Sequence, residues 1–275
     1  MNENLTILKE LRNKTGLGFS KCKEALEKNN WDTEKAEDYL RVHGASVSKL
    51  GSRSANEGAV FVWSVSMDSK TMVKLSCETD FVAQNPIFCG AGVQIARTIQ
   101  ENGLETLEES VASEDIQEIL RDTMSKVKEN VVLSDVTTLS GESIFHYKHS
   151  NNSIGVLLDI SGGNLEDDDF LSLAHDLCLH ITASNPIAVG PEDIPQEIME
   201  RETAIFDTQL KTMKKPPAIL EGIKKGKVAK FLKTACLQSQ PFVKEPKITV
   251  RDHVNNTSNF TGLDIKVNKF VRFSK

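Results

Sequence analysis

Three residues with metal-binding side chains lie close together in the sequence, namely His175, Cys178 and His180. Imidazole nitrogen and thiolate sulfur are the usual zinc ligands in proteins. If this segment is helical, each residue advances by about 100°, which places Cys178 and His180 roughly 200° apart around the helix. The three side chains then cannot converge on one ion. We therefore expect neither a metal site nor a cofactor.

Segments that could bind phosphate lack the required spacing. Gly222–Lys227 lacks both the spacing of a phosphate-binding loop and the Ser or Thr that follows its lysine. Gly16–Leu17–Gly18 follows a helical pattern instead of a strand and lacks the third glycine of a dinucleotide fingerprint. Asp167–Asp169 precedes a predicted helix, where carboxylates interact favourably with the helix dipole.

No segment brings together a nucleophile, a base and oxyanion donors. The five cysteines are scattered without a C-x-x-C pair, which is typical of reduced, buried thiols. The sequence therefore favours a binding protein and predicts that the chain is not an enzyme.

One large apolar side chain stands in a polar turn. Phe81 lies in Cys77–Asn85, between an apolar run and the start of an amphipathic segment, with Glu78, Asp80 and Gln84 around it. Such turns usually carry small or charged residues. Phe81 either fills the core of its own domain or reaches a partner, and both interpretations are open on the local sequence.

Composition limits the kind of partner. The chain has 275 residues, 26% of them charged, and a net charge of −6, which argues against nucleic acid as the main partner. No apolar run approaches the length of about 18 residues that a membrane span requires. Lysines between residues 211 and 233 give that segment a basic character. Without interleaved aromatic residues, we expect them to form a solvated face instead of an RNA contact.

The sequence predicts three short helices around a glycine loop, Thr15–Phe19, in residues 1–50. Small, polar residues predict a linker over residues 51–57. We expect Asp32 to cap the third helix and Gly44 to end it. Leu17 and Phe19 either fold back onto the small core or form an exposed patch for a partner. The pattern of helix, apolar glycine loop and two further helices resembles ubiquitin-associated domains.

The sequence from residue 58 onward predicts an α+β fold in which the same order of strands and helices occurs twice. Strand, strand, helix and later strand appear first in residues 58–140 and again in residues 141–275. The predicted elements are strands Ala59–Trp63 and Met72–Cys77, a helix capped by Asn85 with Pro86 at its first position, an acidic helical segment over 104–130, a strand over 131–139, strands Ser143–His149 and Ile154–Ile160, a helix from Asn164, and a strand Ile265–Phe273.

The second copy contains an insertion, residues 192–237. Its two amphipathic segments predict an antiparallel helical hairpin. Its arms are Glu192–Met213 and Ala218–Leu237, each spanning roughly 30 Å. We expect Ile198, Ile205 and Phe206 on the first arm to face apolar residues of the second, which are Ile219, Ile223, Phe231 and Leu232.

Several blocks resemble the translation elongation factor Ts family. Leu11–Phe19 with Lys21–Leu26 resembles its first signature, and Cys77–Asn85 resembles its second. Ile154–Leu158, His180–Ser184 and Gln240–Pro246 are similar to later blocks. The resemblance follows nearly the whole chain in order, including the hairpin.

The resemblance implies a guanine-nucleotide exchange factor that binds elongation factor Tu with GDP and promotes GDP release during translation elongation. It places Thr79, Asp80, Phe81 and Val82 near the magnesium and phosphate site of that GTPase. It also implies partner contacts by Leu17, Gly18 and Phe19 and, more weakly, by His149. We expect no direct binding of nucleotide, nucleic acid or membrane.

Two alternatives accompany this hypothesis. A ubiquitin-associated-type adaptor would bind a partner through residues 1–50 without exchange activity. The N-terminus lacks a signal core and an Arg-rich transit pattern, so we expect a bacterial cytoplasmic location, with the mitochondrial matrix as the alternative. Some family members continue into a further helix after the last strand, and we expect no such contact from this chain.

Overall fold

The computed structural model describes residues 4, 7–8, 11–12, 15, 19–42, 53–213 and 216–275. Within these ranges the fold combines helices and antiparallel sheets, as the α+β prediction requires. The helices with described bounds are α1 (Phe19–Lys28), α2 (Thr33–Val42), α3 (Asp80–Ala83), α4 (Pro86–Glu101), α5 (Leu107–Ala112), α6 (Glu114–Val127), α7 (Asp168–Ser184), α8 (Gln196–Lys211), α9 (Pro217–Ala235) and α10 (Val250–Thr261). The strands are β1 (Glu57–Ser64), β2 (Ser69–Cys77), β3 (Val132–Ser140), β4 (Ser143–Lys148), β5 (Ile154–Ser161), β6 (Pro241–Phe242), β7 (Glu245–Thr249) and β8 (Lys266–Ser274).

Helices α1 and α2 enclose a small apolar core. Asp32 caps α2, as predicted, because the backbone N–H of Lys35 donates to Asp32 Oδ1 at 3.1 Å. Asn30 and Trp31 form the turn before it, with φ of 52° and 61°. The buried members of this core are Leu8, Leu11, Cys22, Ala25, Leu26, Ala36 and Leu40. Gly44 and residues 51–52 of the linker lie outside the described residues, and Glu57 already belongs to β1 instead of the predicted linker.

Strands β1, β2 and β3 form an antiparallel sheet in that order. One face of this sheet packs against α4 and α5, and α6 packs on these two helices. Phe61, Phe88 and Ile95 are fully buried in this core. Gly92 permits the close approach of α4, since an added Cβ at this position would overlap the ring of Phe61. The predicted start of α4 is confirmed: Asn85 Oδ1 accepts from the N–H of Ile87 at 2.8 Å and Pro86 occupies the first turn.

Strands β4, β5 and β8 form a second antiparallel sheet in that order. Helices α7 and α10 cover one face, and Phe170, Leu177 and Val250 are buried beneath them. The two sheets face each other through a separate apolar layer. Its buried members are Val60, Met72, Leu139, Ile144 and Leu157.

Gly155 sets the separation of the two sheets. A Cβ at this position would lie 2.5 Å from Val60 Cγ1 and 2.8 Å from Met72 Sδ. The Val60 N–H also donates to the carbonyl of Asn152 at 2.8 Å, across the sheets. The core therefore has four layers in the order helices, sheet, sheet, helices.

The helical hairpin is present, and polar contacts join its arms. Lys224 Nζ lies 2.6 Å from Asp207 Oδ1, and Lys227 donates to Gln209 Oε1 at 2.7 Å. These two lysines therefore bind the first arm and do not form a purely solvated face. Two predicted apolar contacts are wrong, because Ile205 and Ile219 are exposed. The base of the hairpin instead packs Ile198, Met199, Phe231 and Leu232 against a buried group containing Ala188 and Ile194.

Several predicted helix boundaries differ from those in the structure. The segment 104–130 contains two helices, because Ser113 is extended between α5 and α6 (φ −67°, ψ 128°). Helix α7 begins at Asp168 and not at Asn164, since Asp167 Oδ1 accepts from the N–H of Phe170 at 2.9 Å. The hairpin arms are shorter than predicted and run over Gln196–Lys211 and Pro217–Ala235.

Helix α10 was not predicted, although its capping box is visible in the sequence. Thr249 accepts from the N–H of Asp252 at 3.1 Å, and the Asp252 carboxylate accepts from the N–H of Thr249 at 2.9 Å. Gly262 ends the helix with φ 75°. None of the helices within the described ranges combines the length and the apolar character that a membrane span requires.

Two glycines in α4 provide a paired test of the packing of this helix. We expect Gly92→Ala to lower the free energy of unfolding by about 1–3 kcal/mol, because the new methyl group overlaps Phe61. Gly90 has no neighbour within 4 Å of an added Cβ, so Gly90→Ala should raise the free energy of unfolding by about 0.5–1 kcal/mol. Urea denaturation measures both. Equal effects of the two substitutions would contradict the described contact between α4 and β1.

Candidate functional site

The short helix α3, which follows β2, exposes one aromatic ring. The side chain of Phe81 is 83% exposed, whereas the adjacent Val82 and Ala83 are each 8% exposed and pack in the core. Helix α3 has four residues, and Thr79 caps it by accepting from the N–H of Val82 at 3.3 Å. The burial of residues 82 and 83 turns Phe81 outward. Phe81 therefore does not fill the core of its own domain.

The four residues of the predicted partner site have different surroundings. Asp80 and Phe81 are exposed, and Val82 is buried. The Thr79 hydroxyl donates to Glu129 Oε1 at 2.7 Å, and the backbone N–H groups of Glu78 and Thr79 donate to Glu129 Oε2 at 3.1 and 3.0 Å. In the free chain, Asp80 and Phe81 are thus open to a partner, while Thr79 and Val82 support them.

Sequence reasoning did not identify Glu129. The residue lies 50 positions after Thr79, and no local motif links the two. Tertiary structure alone brings the loop after α6 beside the end of β2.

The cysteine nearest the site is a poor nucleophile. Burial, followed by the negative charges of Glu129 and Glu57, raises the pKa of the Cys77 thiol to about 12. Burial raises the pKa of each of the other four cysteines as well. These thiols are protonated at neutral pH, and the thiolate is the reactive form.

His149 lies at the same end of the core as Phe81. Its backbone N–H donates to the carbonyl of Ile154 at 2.9 Å, which closes the turn between β4 and β5. In that turn, the carbonyl of Ser153 accepts from the N–H of Lys275 at 2.9 Å, and Lys275 Nζ contacts Glu57 Oε2 at 2.8 Å. Glu57 pairs with Cys77 at the end of β2. The exposed His149 and the exposed Phe81 therefore lie at the same end of the two packed sheets, where β1 begins and β2 ends.

His149 also belongs to a small cluster of rings. The hydroxyl of Tyr147 lies 3.2 Å from His149 Nδ1. The ring of His175 meets Tyr147 edge-on, with ring centroids 6.1 Å apart. This cluster fixes the orientation of His149 on the surface.

The three candidate metal ligands lie in different environments. His175 contacts Tyr147, Cys178 is buried in the core and His180 is hydrogen-bonded to Gln240. No group of three or more potential metal ligands occurs among the residues that the structure describes.

His180 and Gln240 join two of the sequence blocks. His180 Nδ1 accepts from the N–H of Val243 at 3.2 Å, so Nε2 carries the proton that it donates to Gln240 Oε1 at 2.8 Å. Burial lowers the pKa of His180, which keeps the ring neutral in this arrangement. Gln240 Nε2 donates in turn to the carbonyl of Thr234 at 2.6 Å, at the base of the hairpin. The two blocks thus anchor the hairpin to the core.

The predicted N-terminal contact is only partly described. Leu17 and Gly18 lie outside the described residues. Phe19 is the first residue of α1, and its side chain also lies outside the description.

The exposure of Phe81 predicts that the ring contributes little to folding. We expect Phe81→Ala to change the free energy of unfolding by less than about 0.5 kcal/mol, as is usual at exposed positions. Phe88→Ala is the matched substitution in the core, where the ring is fully buried, and it should cost about 3–5 kcal/mol. Denaturant titration of both variants checks this. A loss of several kcal/mol in Phe81→Ala would show that the ring packs inside.

Comparison with known proteins gives the family of the chain. The family model described as "Elongation factor TS" matches residues 78–275. Elongation factor Ts of Aquifex aeolicus is 37% identical to this chain over 97% of the chain and 95% of the relative. The Clostridium perfringens protein of the same name is 34% identical over 98% and 91%, and the Chlamydia muridarum protein is 34% identical over 98% and 96%.

These matches extend over nearly the whole chain and include the turn that exposes Phe81. They give no support to an adaptor without exchange activity. The chain therefore belongs to the elongation factor Ts family, the nucleotide exchange factors of elongation factor Tu in translation elongation.

Proposed function

We propose that this chain accelerates GDP release from elongation factor Tu by inserting Phe81 beside the magnesium and phosphate site of the GTPase. The observation that carries the proposal is the 83% exposure of Phe81 next to two buried residues. An aromatic ring held in water by a structured turn is poised for burial in a partner. Aromatic residues in such positions often dominate the energy of an interface.

Exchange requires differential affinity, because the factor must bind the nucleotide-free GTPase better than the GDP complex. A thousandfold acceleration corresponds to about 4 kcal/mol of differential stabilisation. A buried aromatic anchor contributes about 2 kcal/mol or more. Phe81 is therefore large enough to supply about half of the requirement, and Asp80 and further contacts supply the rest.

Asp80 brings a carboxylate to the same place. It is the first residue of α3 and is exposed beside Phe81. In the partner, backbone amides and magnesium hold the phosphates of GDP. A ring that displaces this backbone and a carboxylate next to the magnesium site both weaken the hold on GDP. Thr79 and Val82 hold these two residues in place.

Two further contacts complete the proposed interface. His149 lies on the edge of the sheets shared with Phe81 and extends the surface from the first sheet to the second. Leu17, Gly18 and Phe19, the last of which begins α1, are the proposed docking residues of the N-terminal unit. In this arrangement, residues 1–50 dock on the partner and the core carries Phe81 to the nucleotide site. The linker 51–57 joins the two.

The finer architecture belongs to the proposal as well. Residues 1–50 form a ubiquitin-associated-like unit, and residues 58–140 and 141–275 form the two copies of an internal duplication. Its support is the equivalent order of both sheets, in which the first two strands are a hairpin and the last strand pairs with the second. The hairpin of residues 192–237 extends the second copy.

The proposed setting is the bacterial cytoplasm, supported by the bacterial origin of the relatives. The chain acts on the GTPase without catalysing a covalent step and without itself binding nucleotide, nucleic acid or membrane. The depressed reactivity of the thiols and the net charge of −6 support this view.

The central test measures release of a fluorescent GDP from elongation factor Tu in the presence of excess unlabelled nucleotide. The parent chain should accelerate release at micromolar concentration. Phe81→Ala should reduce the maximal acceleration about 30-fold, which corresponds to the loss of about 2 kcal/mol.

Phe260 provides the control for this experiment. It is 79% exposed on α10, so it matches Phe81 in residue type and exposure. Phe260→Ala should leave the acceleration unchanged. Equal losses in the two variants, or no loss in Phe81→Ala, would remove Phe81 from the exchange mechanism.

A further inference from the structure

Glu129 binds the backbone that carries Phe81, although it follows a different helix. Helix α6 ends at Val127, and Lys128 adopts a left-handed conformation with φ 62°. This conformation is uncommon for residues other than glycine. It reverses the chain so that Glu129 reaches the end of β2.

The carboxylate of Glu129 accepts hydrogen bonds from three donors on two consecutive residues. These are the backbone N–H groups of Glu78 and Thr79 and the Thr79 hydroxyl, at 2.7–3.1 Å. Hydrogen bonds to an ionised carboxylate are stronger than those between neutral groups. Together they fix both the backbone and the side-chain rotamer of Thr79, the residue that caps α3.

A second set of contacts runs in the opposite direction. Glu78 Oε1 accepts from the N–H of Asn130 at 2.8 Å, and Asn130 Nδ2 donates to the carbonyl of Arg53 at 2.7 Å. Arg53 Nη1 lies 3.6 Å from Glu78 Oε1. Glu129 therefore binds the turn after β2, and Glu78 in that turn binds the loop after α6. Asn130 also joins this loop to Arg53, in the segment that leads into β1.

Helix α3 cannot hold its own orientation. A helix of four residues is too short to be stable alone. Its direction depends on the buried Val82 and Ala83 at one end and on Thr79 at the other. A ring that is already oriented before binding avoids the entropy cost of ordering it at the interface.

We propose that Glu129 is a positioning residue for nucleotide exchange, which acts through Thr79 on the orientation of Phe81 without touching the GTPase. This inference rests on the proposed function of Phe81. A positioning role also explains why the partly buried carboxylate of Glu129 accepts three hydrogen bonds from the turn that precedes Phe81.

The test compares Glu129→Ala with two controls in the GDP-release assay. Glu109→Ala is the matched control, because Glu109 also accepts from two consecutive backbone N–H groups, at 2.9 and 3.1 Å, but in the capping box of α5. Glu129→Gln is the conservative variant. Its amide oxygen can accept from both backbone N–H groups while its nitrogen donates to the Thr79 hydroxyl.

We expect Glu129→Ala to lower the maximal release rate about 10-fold, because a group displaced from its productive position loses much of its effect, and by no more than the roughly 30-fold loss expected for Phe81→Ala. The half-saturating concentration should change much less, because the remaining interface is intact. Glu129→Gln should stay within about threefold of the parent, since its hydrogen-bond partners are retained. Glu109→Ala should match the parent. Hydrogen exchange in residues 77–84 should accelerate in Glu129→Ala only.

The double variant separates positioning from a general structural role. If Glu129 acts through Phe81, Glu129→Ala should cause no further loss in the Phe81→Ala background. Additive losses, or equal losses in Glu129→Ala and Glu109→Ala, would overturn the inference. If the parent chain does not accelerate GDP release from elongation factor Tu, or if Phe81→Ala is fully active, the proposed function is instead contradicted.

Discussion

Holding a phenylalanine ring in water requires a backbone that cannot collapse around it. The free energy gained by burying such a ring is about 1.5–3 kcal/mol, so a mobile turn would fold Phe81 back against the nearest apolar surface. The described turn prevents this by burying Val82 and Ala83 and by fastening Thr79 to Glu129. The exposed ring is thus a consequence of contacts made by its neighbours. The layered core supplies these contacts, because α6 must pack on α4 and α5 for Glu129 to reach the end of β2.

The second constraint is the separation of the two sheets. Gly155 lets them approach so closely that Val60 and Met72 fill the space its side chain would occupy. The same contact aligns the turn of His149 with the end of β2, and Lys275 bridges them through Glu57. A partner that binds at this edge meets both sheets at once. This geometry explains how a ring on one sheet and a histidine on the other can belong to a single surface.

Much of this fold could be predicted because the signals were local. Asn85 and Pro86 mark the start of α4, and runs of β-branched and aromatic residues such as Ala59–Trp63 mark the strands. The errors occurred where the conformation or hydrogen bond of one residue decides. The extended backbone of Ser113 divides the acidic segment, and the Asp167 side chain caps α7. At the site, the sequence identified Phe81 as unusual but could not give its direction. That direction depends on the burial of its neighbours and on Glu129, which is distant in sequence and has no motif of its own.

The most direct test of this account replaces Phe81 with a photo-cross-linking phenylalanine analogue and irradiates the complex with elongation factor Tu. The adduct is then mapped by mass spectrometry, with the same analogue at the equally exposed Phe260 as the reference. We predict an adduct from position 81 within the nucleotide-binding domain of the GTPase, beside the magnesium and phosphate site, and none there from position 260. A complex that forms but gives no adduct from position 81 in that domain would contradict the role assigned to Phe81.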